Sequence, residues 1–425
     1  MKAIRISYLF ILSLLILASC LESPDMTEGI VNGKKPPTVE TKMVGVVLED
    51  GVLHLEGEII ATGKSDKILS KGFYWSETNP NPTKNDNVIN LGSESFSAEI
   101  KDVSGEKTLY WKAFAENEFG FDYGEVASFA TPLIWEERAN FVAPIRGFFS
   151  SCVLNDELLL FGGQKSSGQT VLNETWIYST KNDSWQSTRV DFDGIRRYPS
   201  SFTIDNNVYV GAGQRTGTSL YNDFYRMDGD SYSWSQIETE KDMIPRYNAS
   251  SFSLNGKGYI VGGSGADYPY TLNDVWQFDP VLEKWKRLND FPTVFSGGIS
   301  IYGGNRAFVG FGKKESGEIT TDRLLWEYDE ENDTWIIVSE LPESFLFKVT
   351  GATILKNTIY VINNNLEIWA LNLTTLEWKL KATAPDKLKI EIDDPKNLML
   401  THNNSIYIGL NFSEYLFEYR PLWDN

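Results

Sequence analysis

Cysteine and histidine are nearly absent: the 425-residue chain carries only Cys20, Cys152, His54 and His402. A zinc site needs three or four grouped thiolates or imidazoles, and a Ser-His-Asp apparatus needs a histidine beside its nucleophile. Neither can be composed from four residues so widely scattered, and no metal or other cofactor is expected. Positive charge is also scarce, with 39 basic against 58 acidic residues and a net charge of −19. That balance argues against nucleic acid or an anionic lipid surface as a general partner. The densest acidic run, Asp329-Glu330-Glu331-Asn332-Asp333, has the composition of a solvated turn rather than a calcium cage.

What the chain has in quantity is repetition. The unit Leu272–Trp285, with the Gly258–Gly263 run ahead of it, recurs at a step near 50 residues, in the range of radial or solenoid repeats. Arg146, Arg196 and Arg246 stand 50 apart, each followed by a serine pair, Ser150-Ser151, Ser200-Ser201 and Ser250-Ser251. Apolar runs then end in Gly162-Gly163, Ala212-Gly213 and Gly262-Gly263, and an Asn-acid pair precedes an aromatic: Asn173-Glu174 with Trp176, Asn222-Asp223 with Tyr225, Asn273-Asp274 with Trp276. Later copies keep the spacing while losing the letters. Seven residues separate Tyr178 from Trp185, Met227 from Trp234, Phe278 from Trp285, Tyr328 from Trp335 and Leu371 from Trp378. A sixth copy reaches Tyr419 and would need its tryptophan at 426. Leu133-Ile134-Trp135 stands without a repeat of its own, 50 residues before Trp185, and is expected to supply that strand and remove two open sheet edges.

This pattern resembles the kelch repeat, over about residues 133 to 425. The resemblance implies a six-bladed kelch-type β-propeller with tryptophans packed between blades and the N-terminal strand closing the last one, in an all-β chain. A copper oxidase on such a scaffold would need a histidine pair and a tyrosine-cysteine arrangement, which the propeller stretch does not contain.

Residues 1–20 read as an export signal: Lys2 and Arg5, an apolar run Ile6–Leu17 short of the ~20 residues of a membrane span, then Leu17-Ala18-Ser19-Cys20. This resembles the bacterial lipoprotein box, which implies cleavage at Cys20 and lipidation of its thiol. Cys152 is then left without a disulfide partner and reads as a small buried hydrophobe. Residues 21–37 have a tether composition. With no aspartate after Cys20, an outer-membrane lipoprotein of the cell envelope is expected, on its surface or its periplasmic side. Residues 38–132 contain alternating strand-like stretches, among them Lys42–Leu48, Val52–Ala61, Lys71–Trp75, Ser95–Ile100, Thr108–Glu116 and Glu125–Thr131. Gly72–Thr83, Tyr110–Gly120 and Tyr123–Pro132 resemble fibronectin type III-like domains of bacterial surface proteins, implying an immunoglobulin-like β-sandwich. The whole arrangement resembles lipoproteins of Bacteroidetes-like bacteria.

The remaining candidates are cationic. Arg146, Arg196 and Arg246 at equivalent places, with Lys348 beside the corresponding Phe347, would bring positive charge to one side of one end of a central channel. Such a cluster would clamp a carboxylate-bearing sugar. Alternatively each arginine bonds a neighbouring blade's backbone or an acid such as Glu174. Two functions follow. One is a lipid-anchored binding or scaffold protein whose propeller recognises a glycan or an envelope protein. The other is an isomerase resembling kelch-type sialic acid mutarotases, with Glu174 or Asp394 as candidate acid-base groups. Binding is favoured over catalysis.

Overall fold

The computed structural model describes residues 33–42, 52–92, 96–166, 170–188, 191, 193–217, 219–266, 270–313, 322–345, 348–389 and 396–424. Cys20, the signal and most of the tether lie outside the described residues, as do 43–48, Phe347 and Asp394. The chain divides into two compact units, one of residues 1–101 and 107–130, the other of 102–106 and 131–425.

The first unit is two antiparallel sheets. One pairs Thr38–Lys42, Leu53–Ala61 and Ser97–Ile100; the other runs Asn87–Leu91, Ser70–Ser76, Thr108–Asn117, Gly120–Tyr123, with Ala127–Ala130 also on Thr108–Asn117. Alternation over the first part of Leu53–Ala61 and of Thr108–Asn117 sends Leu53, Leu55, Leu109, Trp111 and Ala113 into the interior with Phe73. The sheets are tied across by the Ala113 N–H donating to Thr41 Oγ1 at 2.9 Å. Thr38–Lys42 shares only Lys42 with an expected stretch, and Asn87–Leu91 and Gly120–Tyr123 lie outside all of them. The latter two sit at the margin of their sheet and are largely exposed or half-buried, so they carry little hydrophobic alternation to read.

Among the described residues the second unit holds a two-stranded sheet, Arg146–Gly147 with Gln164–Lys165, and six four-stranded antiparallel sheets. Their first strands, Ser150–Leu154, Ser200–Ile204, Ser250–Leu254, Ile299–Gly303, Val349–Leu355 and Leu398–His402, each contact the next, and the sixth returns to the first. The seven-residue aromatic spacing is a cross-strand pair. Tyr178 lies opposite Trp185, Met227 opposite Trp234, Phe278 opposite Trp285, Tyr328 opposite Trp335 and Leu371 opposite Trp378. In the sixth sheet Tyr419 lies opposite Trp135, because Trp135–Glu137 adds to the edge of Leu416–Tyr419. Their rings stack with centroids 4.3 Å apart.

Aromatics also join consecutive sheets. Trp285 of the third sheet packs on Phe202 and Phe224 of the second, and Trp335 of the fourth on Phe252 of the third. The second residue of each glycine pair explains why that letter is needed. Gly163 and Gly263 sit at φ 95° and 104°, where an added Cβ would meet a backbone oxygen at 2.7 and 3.0 Å. From there Gly163, Gly213 and Gly263 donate N–H to the carbonyls of Arg196, Arg246 and Phe295 in the next repeat, at 2.9, 2.7 and 2.8 Å.

Candidate functional site at the channel mouth

The three arginines do not line an open channel. Arg146, Arg196 and Arg246 are 0–1% exposed, and each is bound by its own repeat rather than by a neighbouring one. Sixteen residues on, a carbonyl accepts from Nη1: Gly162 at 3.3 Å, Ala212 at 3.0 Å, Gly262 at 3.0 Å. About one strand further the acid of the Asn-acid pair closes the ring. Glu174 meets Arg146 Nη2 at 2.5 Å, Asp223 meets Arg196 at 2.7 and 3.2 Å, and Asp274 meets Arg246 at 2.6 and 2.7 Å. The aromatic two residues later joins in, since Trp176 Nε1 donates to Glu174 and Trp276 Nε1 to Asp274. Arginine, carbonyl and acid are therefore one hydrogen-bonded unit that occurs in three consecutive repeats, with a tryptophan joining it in the first and third.

The charges follow from this. Burial disfavours the Glu174 carboxylate, but the Arg146 and Trp176 donors outweigh it and hold the group below its ordinary value. Asp274 behaves likewise with Arg246 and Trp276. Arg146 is itself shifted downward by burial, against the pull of Glu174. Both acids are thus held in the charged form by the arginine each pairs with. In the fourth sheet the arginine's place is taken by Phe295, buried against Gly298 and Gly312. Lys348, half-buried, donates its backbone N–H to Asn364 Oδ1 and accepts the Asn364 N–H on its carbonyl. Cys152 is fully buried and its thiol is pushed up to about 12 by desolvation, which removes it as a nucleophile.

The open concave feature is the channel itself, a cavity of about 340 Å³, within the range of small-ligand pockets. Hydroxyl groups predominate in its lining, the serines of the first four sheets and Thr350, Thr353 and Thr401 of the last two, with Ile301, Ile354 and Met399 between them. The serine pairs, unexplained in the sequence, have a stitching role. Innermost strands of adjacent sheets do not form ladders with each other, so their edge N–H and C=O groups need partners. Ser251 Oγ accepts from Ser201 N–H at 3.1 Å and donates to Ser201 O at 2.9 Å, and Ser300 Oγ does the same for Ser251 at 3.2 and 2.5 Å.

At the end of the channel where the repeats begin, a rim is built from residues that share no letter. Phe148, Tyr198, Asn248 and Gly297 occupy the same place in four consecutive repeats, all left-handed with φ of 58°, 52°, 59° and 68°. Backbone bonds link them in sequence: Tyr198 N–H to Phe148 O, Asn248 N–H to Tyr198 O, Gly297 N–H to Asn248 O, at 2.6, 3.4 and 2.9 Å. Phe148 stacks on Tyr198 at 4.4 Å and meets Phe412 edge-on at 4.9 Å, while Tyr198 leans on Tyr247 at 5.7 Å. Arg197 lies within the row, donating to Gln214 and Gln164 at 2.9 and 2.5 Å. From the sixth sheet, Lys396 Nζ spans the mouth to Asn248 Oδ1 at 2.8 Å. Identical letters would have revealed this rim; its signal is a shared backbone conformation, which a sequence does not display.

A ring of four-stranded sheets joined along a central channel defines a β-propeller. The KLHDC2/KLHL20/DRC7 Kelch-repeats domain family matches residues 148–363, a little over half of the chain, and the chain belongs to the kelch-repeat family. Adagio-like protein 1 of Oryza sativa subsp. japonica is 26% identical over 210 residues, covering 46% of this chain and 33% of the relative. The chain thus spans about a third of the length of that plant relative. N-acetylneuraminate epimerase of Yersinia enterocolitica is 34% identical over 99 residues, 22% of this chain and 24% of the relative. Among solved structures, "Structure of YjhT" superposes with a TM-score of 0.52 at 16% identity, covering 65% of this chain and 94% of that one, a likeness of fold.

Proposed function

We propose that this chain is a binding protein of the cell envelope: a six-bladed kelch-type propeller, 133–425, joined to a fibronectin type III-like sandwich, 38–132, and held to the outer membrane by lipid on Cys20. Its propeller recognises a glycan or an envelope protein at the channel mouth, and the acidic balance argues against nucleic acid as a partner. The observation that carries the reading is the fate of the three arginines. Each is consumed by a carbonyl and an acid of its own repeat, which leaves the described rim of the mouth as recognition surface. Arg146, Arg196 and Arg246 are accordingly assigned to holding the sheets together rather than to ligand, and Lys348 is kept only as a flanking cation.

A second reading is favoured by the 99-residue similarity to the Yersinia epimerase: an isomerase acting on an acidic sugar. The two separate in one assay. Anomer exchange of ¹³C-labelled N-acetylneuraminate, followed by NMR with the full chain, proceeds at the spontaneous rate if the protein only binds. Acceleration proportional to protein concentration would replace the binding reading with the isomerase.

A further inference from the structure

We infer that the rim Phe412, Phe148, Tyr198 and Tyr247 is a shelf on which pyranose rings of a glycan stack, with the channel beneath it receiving a terminal ring. This rests on the binding reading above and narrows its ligand to carbohydrate. The first support is the backbone. A bulky residue in the left-handed region is held there at a conformational cost, which Gly and Asn largely escape. The third and fourth repeats carry Asn248 and Gly297 at this place and keep the same linking hydrogen bonds. The fold therefore accepts small residues there, and its own stability does not explain Phe148 and Tyr198.

The second support is the company the rings keep. All four are only half-buried, so each offers part of an aromatic face. Amides and cations are interleaved with them: Arg197 held by Gln164 and Gln214, and Asn248 held by Lys396. Flat apolar faces alternating with hydrogen-bonding groups fit a pyranose, whose axial C–H bonds lie on one face and whose hydroxyls project from the edge. A peptide groove would show deeper apolar pockets.

The third support lies below the shelf. Ser150 and Ser151, half-buried, line the cavity and present hydroxyls to a ring that enters it.

The test uses saturation-transfer NMR on the full chain with cellotetraose, xylotetraose, chitotetraose and mannotetraose as probes. At least one probe should receive saturation from aromatic protons at its ring C–H positions. Affinity should survive Tyr198→Phe and fall about tenfold or more, ~1.4 kcal/mol or more, in Tyr198→Gly and Phe148→Gly. Tyr198→Asn, which places at 198 the side chain the third repeat carries, gives the same loss should the glycine variants fold poorly. Melting temperatures of the folded variants should stay near the parent's. Absence of transfer for all four probes overturns the carbohydrate shelf, while the anomer-exchange result still stands for binding against catalysis. Transfer that persists undiminished in Tyr198→Gly, Phe148→Gly and Tyr198→Asn places the sugar elsewhere and equally overturns it.

Discussion

Replacing Arg246 by alanine isolates what the buried ion pairs contribute. The substitution strands Asp274, whose side chain is 11% exposed, and removes donors from Gly262 O and Ile244 O. Removing one partner of a buried pair costs about 3–5 kcal/mol, because the surviving charge keeps its desolvation penalty without its counterion. At roughly 2 °C per kcal/mol for a unit of this size, the melting transition should fall by about 6–10 °C. The cost should follow the exposure of the stranded acid. Asp223 is 23% exposed and Glu174 34%, so water rescues them progressively better and the loss should rank Arg246→Ala, then Arg196→Ala, then Arg146→Ala.

Acid pH adds a second signature. In the parent, Asp274 is held below the usual carboxylate value, burial being outweighed by Arg246 and Trp276. Its contribution is therefore complete above the unfolded value of about 4 and drains as pH falls through the lower folded value. In Arg246→Ala only the Trp276 donor and the more distant Arg287 are left against burial, the carboxyl rises from its value in the parent, and protonation relieves it. The gap between parent and variant should narrow between roughly pH 7 and pH 4. Differential scanning calorimetry at several pH values reads both effects. Equal losses for the three variants, or a gap that widens with acid, would refute the idea that a stranded carboxylate drives the destabilisation.

Two further outcomes are expected. A chain beginning at Arg138 lacks Trp135–Glu137, leaving the buried strand Leu416–Tyr419 with an open edge and Tyr419 without its stacking partner; it should melt at least several degrees below one beginning at Thr131 or aggregate, and coincident melting curves would remove the strand from the closure. Cys20→Ala should leave the protein exported yet released from membranes, and its recovery in the membrane fraction after washing would dispose of the lipid anchor.

The repeat was legible because propeller sheets are alike in backbone. A glycine that must donate to the next repeat, an acid that must meet an arginine, and a tryptophan opposite a large apolar residue recur wherever the same geometry recurs, so a step of 50 residues carries the architecture. The margins of the first unit were not legible, since Asn87–Leu91 and Gly120–Tyr123 bury little and alternate weakly. The arginines show the limit of pattern most plainly. Their spacing puts them at equivalent places, but whether a guanidinium points into the channel or back into its sheet depends on three segments converging. Residue 246, the carbonyl of 262 and the carboxylate of 274 meet only after the second and third strands have paired. The rim was decided wholly by tertiary structure. Phe148, Tyr198, Asn248 and Gly297 have nothing in common as letters, and become one ledge because the backbone turns left-handed at each and hands a hydrogen bond to the next.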